Sequence, residues 1–85
     1  MTISYSKSFL KQAKKLDKPV RQKLLERIGL FSKNPLDYEL NNHPLKGKYK
    51  QYRSINVTGD FRALYLTRGD LVIFDLVGTH SQLYG

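Results

Sequence analysis

The chain has 85 residues, 40% of them hydrophobic, and its 15 lysines and arginines against 7 acidic residues give a formal net charge of +8. This length suits one small domain spanning residues 1–85, and the charge favours an anionic partner, above all nucleic acid. The lack of cysteine excludes a disulfide framework, a thiolate metal site and a cysteine nucleophile; the lack of a long apolar run or signal-peptide core predicts a cytoplasmic protein with no membrane partner.

The first third of the chain is predicted to form two antiparallel helices. Ser6 and Asp17 are the expected N-caps, and Asn34-Pro35 ends the second helix because a residue before proline avoids helical backbone angles. The buried side of the first helix is expected to carry Phe9, Leu10, Ala13 and Leu16. That of the second is expected to carry Val20, Leu24, Ile28 and Phe31.

The rest of the chain, after a polar stretch from residue 34 to 48, has the pattern of strands. Alternating or β-branched runs at 49–57, 61–67 and 71–77 are joined by glycine-containing connectors of hairpin length. The last run is interrupted only by Asp75 and predicts a central strand buried on both faces. Thr2-Ile3-Ser4 can add a short strand. We therefore expect an α+β fold, with a helical hairpin packed on one face of a small, mostly antiparallel sheet.

Basic residues concentrate in two places, and both are interpreted as RNA-binding surfaces. The first is a stripe on the first helix, for which a solvated face is the alternative, and it consists of Lys7, Lys11 and Lys14. The second is interleaved with two tyrosines, and it consists of Lys46, Lys48, Lys50 and Arg53. Basic residues mixed with aromatic ones can contact phosphates and stack on bases.

The chain has two histidines, His43 before the sheet and His80 just after the last strand. An imidazole gains or loses a proton near neutral pH, so the pair can act as base and acid when an RNA phosphodiester is attacked by its own 2′-OH. Arg62 can stabilise the charge of the crowded phosphorane. No ligand-like spacing supports zinc, and no nucleotide-binding or acyl-transfer motif occurs, so neither metal nor cofactor is expected.

Several segments resemble the RelE/ParE superfamily of bacterial toxins. They are Gly59–Tyr65 and Gly78–Gly85, while His43–Gly47 followed by Tyr52-Arg53 is similar to the YafQ branch in particular. The resemblance implies the RelE-like fold and the toxin of a type II toxin–antitoxin system. It also implies metal-independent cleavage of mRNA on the ribosome, and neutralisation by a cognate antitoxin.

The resemblance further implies roles for individual residues. His43 would act in proton transfer, and His80 would act as acid or base near the scissile phosphate. Asp60 would orient or help ionise a partner, and Tyr84 would position the nucleotide. Arg62 resembles the strand arginine of RelE, where the YafQ branch has an apolar residue.

The chain departs from the YafQ pattern in the strand after the Tyr-Arg pair. Ser54 and Asn56 stand where that branch has an aspartate and a histidine, so these two positions can contribute only hydrogen bonds to substrate. Which histidine is the acid stays open.

Two other functions remain open at this point. One is a ParE-like gyrase poison without enzymatic activity, and the other is a basic RNA-binding module without catalysis. The paired histidines favour the ribonuclease, since a protein-binding poison needs no titrating groups. A folded domain of charge +8 can be silenced by a segment of opposite charge, so the antitoxin is expected to be acidic and partly disordered.

Overall fold

The computed structural model describes residues 1–84 and confirms the expected α+β architecture. Its elements, in chain order, are β1 (Thr2–Tyr5), α1 (Lys7–Lys14), α2 (Lys18–Lys33), β2 (His43–Pro44), β3 (Arg53–Asn56), β4 (Phe61–Arg68), β5 (Leu71–Thr79) and α3 (His80–Tyr84). The strand predicted from residue 49 begins only at Arg53. The reason is a 3-10 turn at Gly47–Tyr49, in which Gly47 adopts a φ of 65° that glycine tolerates best.

The five strands form one sheet in the order β1-β5-β4-β3-β2. The short strand expected at the N-terminus is present, and it pairs in parallel with β5, whereas all other pairs are antiparallel. The long β4–β5 pairing contains a bulge. Leu64 pairs with Leu76 and Tyr65 pairs with Phe74, so Asp75 has no paired residue on β4.

The prediction that β5 is buried on both faces is wrong, because of the bulge and because the helices pack on one side of the sheet only. The strand is internal to the sheet, but its buried hydrophobic residues are Val72, Phe74 and Val77, with Ile73 and Leu76 only half-buried. The helical hairpin covers one face of the sheet, so the opposite face of β5 keeps contact with solvent.

The helices begin as their sequences predict, with one difference in capping. Ser6 Oγ accepts a hydrogen bond from the Phe9 backbone N–H at 3.1 Å. Asp17 occupies the N-cap of α2, but its side chain makes no capping hydrogen bond there. Pro19, which needs no partner for a backbone N–H in the first turn, lies at the start of this helix instead.

The core lies between the hairpin and the sheet and is built on aromatic contacts. The ring of Phe31 is 5.3 Å from that of Phe74 and 4.9 Å from that of Tyr65, and Phe9 packs 5.8 Å from Phe74. Leu10, predicted to be in the core, is 50% exposed. Its neighbour Phe9 takes the buried position, and one step of about 100° turns Leu10 towards solvent.

None of the helices formed by residues 1–84 combines the length and the hydropathy that crossing a bilayer requires.

Candidate active site

A cleft of about 290 Å³ opens on the sheet face opposite the helical hairpin. Ile55 and Ala63 point into the core, so Ser54 and Arg62, which alternate with them along β3 and β4, point the other way. The cleft is lined by His43, Leu45, Lys46, Tyr49, Ser54, Arg62, His80 and Tyr84. Both histidines and the strand arginine therefore line one concave surface.

His43 enters the cleft from the edge strand β2 in a defined tautomer. Its Nδ1 lies 2.7 Å from the backbone carbonyl oxygen of Asn41. A carbonyl oxygen can only accept, so Nδ1 donates its hydrogen, and in the neutral ring the lone pair is on Nε2. This arrangement suits His43 to accept a proton from a substrate.

A hydrogen-bond network fixes the chain immediately before His43. Arg53 Nε donates to Asn42 Oδ1 at 2.7 Å, and Asn42 Nδ2 donates to the hydroxyl of Tyr65 at 2.8 Å and to the carbonyl of Pro35 at 2.9 Å. Arg53 was expected to contact RNA. The structure shows its guanidinium donating to Asn42, and Arg53 is not among the residues that line the cleft.

Arg62 is held in place by neutral groups, which leaves its charge available to a substrate. Its Nη1 donates to the carbonyls of Thr58 at 2.9 Å and Phe61 at 3.0 Å. Within residues 1–84, no carboxylate forms an ion pair with this guanidinium. Its Nε–H and Nη2–H groups can therefore donate to a phosphate.

His80 is positioned by the direct passage of β5 into α3. Thr79 and Gln82 form a capping box, in which the Thr79 N–H donates to Gln82 Oε1 at 2.8 Å and the Gln82 N–H donates to Thr79 Oγ1 at 3.1 Å. The exposed His80 ring packs 4.7 Å from that of Tyr84.

Asp60 contributes to this arrangement through its main chain. The His80 N–H donates to the Asp60 carbonyl at 3.2 Å. The Asp60 side chain is exposed, and Asp60 is not among the residues that line the cleft. The contact between Asp60 and His80 is therefore a backbone hydrogen bond.

A chain of tyrosines supports the wall of the cleft behind Tyr84. Tyr49 packs edge-on against Tyr84 at 5.6 Å and against Tyr52 at 5.8 Å, and its hydroxyl donates to the Leu83 carbonyl at 2.7 Å. The Tyr52 hydroxyl donates to Asp75 Oδ2 at 2.6 Å. This hydrogen bond, together with burial and the negative charge of Asp75, raises the pKa of Tyr52 to about 12.

The sequence did not reveal that these tyrosines support the cleft wall. Aromatic residues among the lysines were considered only for stacking on bases, whereas the hydroxyls of Tyr49 and Tyr52 donate to Leu83 and Asp75 and hold these side chains against the protein. One feature of the sequence could have indicated that Asp75 has a polar partner: it is the lone acidic residue in an apolar strand. Lys48 Nζ lies 5.2 Å from the Tyr49 ring centroid, which adds a cation–π contact on the solvent side.

The predicted RNA-binding lysines divide between two surfaces. Lys46 lines the cleft, and Lys48 and Lys50 are exposed beside it on the 3-10 turn and at its end. The stripe on α1 lines a separate groove on the helical side of the molecule, and it consists of Lys7, Lys11 and Lys14. Within residues 1–84, no group of three or more histidine or acidic side chains is arranged to hold a metal ion.

The two polar residues of β3 also differ in placement. Ser54 is 1% exposed and lines the cleft, whereas the half-buried Asn56 does not line it.

Comparisons of the sequence and of the structure with known proteins point to the same family. The sequence profile of YafQ, a bacterial toxin of type II toxin–antitoxin systems, matches residues 1–85. The mRNA interferase toxin YafQ of Escherichia coli K12 is 34% identical over 87 residues, which cover 98% of this chain and 95% of that protein. The crystal structure of YafQ from E. coli BL21(DE3) superposes with a TM-score of 0.83 at 32% identity, covering 98% of this chain and 97% of that one. YafQ in the E. coli DinJ–YafQ toxin–antitoxin complex gives 0.81 at 32% identity, covering 98% and 96%.

Proposed function

The chain belongs to the YafQ family of bacterial type II toxin–antitoxin toxins, and from that premise we propose that it is an endoribonuclease that cleaves mRNA bound to the ribosome. The observation that carries the proposal is the convergence of His43, His80 and Arg62 on one cleft. A gyrase poison or a non-catalytic RNA-binding module has no need of two titratable groups and a free guanidinium in that arrangement. An mRNA substrate places the activity in the cytoplasm.

In the proposed reaction the RNA supplies its own nucleophile. His43 Nε2 takes the proton of the ribose 2′-OH, and the 2′ oxygen attacks the adjacent phosphorus. The Nε–H and Nη2–H groups of Arg62 stabilise the negative charge that builds on the phosphorane oxygens. His80, in its protonated form, gives a proton to the departing 5′ oxygen. The products are a 2′,3′-cyclic phosphate and a 5′-hydroxyl, and no metal takes part.

The base assignment to His43 follows from its hydrogen bond. With Nδ1–H committed to the Asn41 carbonyl, the neutral His43 ring offers an acceptor to the cleft. The His80 ring is exposed and held by its contact with Tyr84, so it can exchange protons with water between turnovers. Tyr84 presents its ring beside His80, where a base next to the scissile bond can stack on it.

Substrate binding is assigned to the basic surfaces. Lys46, inside the cleft, and the exposed Lys48 and Lys50 beside it would contact mRNA phosphates. The α1 stripe would contact ribosomal RNA. Because each phosphate contact releases counterions, RNA binding is expected to weaken steeply as salt rises.

The partner is proposed to be a cognate antitoxin with an acidic, partly disordered segment. The YafQ of E. coli is seen in complex with DinJ. Within residues 1–84, Lys23 and Arg27 are the basic side chains that pair with carboxylates, so most of the positive charge is available to an acidic partner.

The function is tested by inducing the wild type, His43→Ala, His80→Ala and Arg62→Ala in cells and mapping cuts in ribosome-bound mRNA by primer extension. Each substitution should lower cleavage by about 10²-fold or more, as expected for loss of an acid, a base or a charged donor. Arg68→Ala, an exposed arginine at the end of β4 outside the cleft, is the matched control and should cleave as the wild type does. Intact mRNA with broken DNA would identify a gyrase poison, and equal cleavage by all variants would refute the assigned chemistry.

A further inference from the structure

The floor of the cleft carries a buried hydroxyl without a hydrogen-bond partner. Ser54 is 1% exposed, and its Oγ makes no hydrogen bond within residues 1–84. About nine in ten buried polar atoms in proteins have a partner, so a buried hydroxyl in this state points to a missing ligand. Two other buried side-chain atoms share this condition, Arg27 Nε and Asn56 Oδ1, but neither residue lines the cleft.

The register of the sheet places this hydroxyl between the proposed base and the proposed cation. Ser54 on β3 pairs directly with His43 on β2. On its other side it pairs with Leu64 of β4, and Arg62 stands two residues along that strand on the same face. Direct cross-strand neighbours have Cβ atoms about 5 Å apart, and diagonal ones about 7–8 Å. A single phosphodiester can therefore reach all three side chains.

We propose that Ser54 is a catalytic residue whose hydroxyl donates a hydrogen bond to a non-bridging oxygen of the scissile phosphate. The inference rests on the proposed ribonuclease activity. It adds the Ser54 hydroxyl to the two Arg62 groups, Nε–H and Nη2–H, that donate to the phosphorane oxygens. Ser54 keeps its proton throughout, because its Oγ makes no hydrogen bond to the neighbouring His43 within residues 1–84, and that base takes the proton of the ribose 2′-OH. Its hydrogen bond strengthens as negative charge builds on the phosphorane, so the contribution is larger in the transition state than in the bound substrate.

A substrate role and a structural role predict opposite effects on stability. If Ser54 waits for a ligand, Ser54→Ala removes a buried hydroxyl that is unsatisfied in the free protein, and the melting temperature stays the same or rises. If the hydroxyl supported the fold, the same change would lower the melting temperature. Ser54→Thr keeps the hydroxyl and should restore cleavage to within a few-fold of the wild type.

The experiment measures melting temperature, single-turnover cleavage of ribosome-bound mRNA and RNA affinity for the wild type, Ser54→Ala and Ser54→Thr. We expect Ser54→Ala to lose about 10²-fold in cleavage rate, with affinity changed by less than about 5-fold and no loss of thermal stability. Ser32→Ala is the matched control, because Ser32 is exposed on α2 and donates only to the Gly29 carbonyl; it should cleave normally.

The outcomes separate this inference from the function on which it rests. Wild-type cleavage by Ser54→Ala, alongside inactive His80→Ala and Arg62→Ala, would overturn the role of Ser54 and leave the ribonuclease standing. A parallel fall in melting temperature and cleavage would also overturn it, in favour of a structural role. Absence of cleavage by the wild type would overturn both.

Discussion

The hydrogen bond between Tyr52 and Asp75 anchors the tyrosines that support the cleft wall, and its removal is the sharpest test of that support. Tyr52→Phe deletes the donor and leaves the carboxylate of Asp75 without it, while the ring keeps its contact with Tyr49. We expect the variant to fold, to be less stable than the wild type and to cleave RNA more slowly.

The size of the effect follows from the pKa of Tyr52. A rise from 10.0 to about 12 corresponds to two steps of about 1.36 kcal/mol, or at most about 2.7 kcal/mol. The hydrogen bond to Asp75 is the largest cause of the rise, but part of the rise comes from burial and from the negative charge of Asp75, which penalise only the ionised tyrosine, and the partly exposed side chain is also screened by water. About half of that value is therefore expected from the hydrogen bond at neutral pH. A loss of about 1.3 kcal/mol in the free energy of unfolding lowers the melting temperature of a domain this size by roughly 5–10 °C.

The same pair makes stability depend on pH in a defined direction. The pKa of Tyr52 is raised in the folded state, so the folded protein holds this proton more tightly than the unfolded chain does. The stabilisation is therefore complete below pH 10 and is lost as pH rises through about 12. Tyr52→Phe lacks this dependence, and its stability should converge with that of the wild type over this interval.

Urea unfolding followed by circular dichroism, at neutral pH and through the alkaline range, measures both effects. Tyr38→Phe is the matched control, since Tyr38 is 88% exposed, and it should unfold as the wild type does. Equal stability of Tyr52→Phe and Tyr38→Phe at neutral pH would refute the argument. A difference between Tyr52→Phe and wild type that persisted unchanged to pH 12 would refute its electrostatic part.

Three further changes test the positioning of the site and its contacts with RNA. Gln82→Ala removes the acceptor of the Thr79 N–H and should destabilise α3 locally by about 1 kcal/mol; unchanged amide hydrogen exchange in α3 would contradict this. Lys46→Ala should lower the salt dependence of single-stranded RNA binding, measured by fluorescence anisotropy, by about 0.7 in log–log slope; an identical slope would exclude a phosphate contact. Arg53→Ala should leave that slope unchanged but cost about 2 kcal/mol in urea unfolding, because Asn42 loses a charged donor; the reverse pattern would restore Arg53 to the RNA-binding surface.

The fold was predictable wherever one period of hydrophobicity ran without interruption. The helical hairpin and the strands of the meander follow from such runs. The prediction failed for β5, where Asp75 is an extra residue and the buried positions pass from Phe74 to Val77. Buried residues of a regular strand are two positions apart, but Phe74 and Val77 are three apart. This shift hides the alternation, so the strand looks like a continuous apolar run in the sequence.

The proposed reacting groups, which line one cleft, could be selected from the sequence by their chemistry, but the groups that hold them could be predicted only in part. Two histidines and an arginine are conspicuous in any short chain, whereas the Tyr52–Asp75 bond joins residues 23 positions apart and depends on the folded sheet. The capping box is an exception, since threonine followed three residues later by glutamine is a local signal, and it was present at Thr79 and Gln82.

The turn at residues 57–60 holds both Arg62 and His80, two of the three proposed reacting groups. It accepts the Arg62 guanidinium at the Thr58 carbonyl and the His80 backbone N–H at the Asp60 carbonyl. The distance between Arg62 and His80 is thus set by one turn, between β3 and β4, while His43 lies on the separate edge strand β2. A change in that turn is therefore expected to displace Arg62 and His80 together, whereas the position of His43 depends on the separate hydrogen-bond network around Asn42.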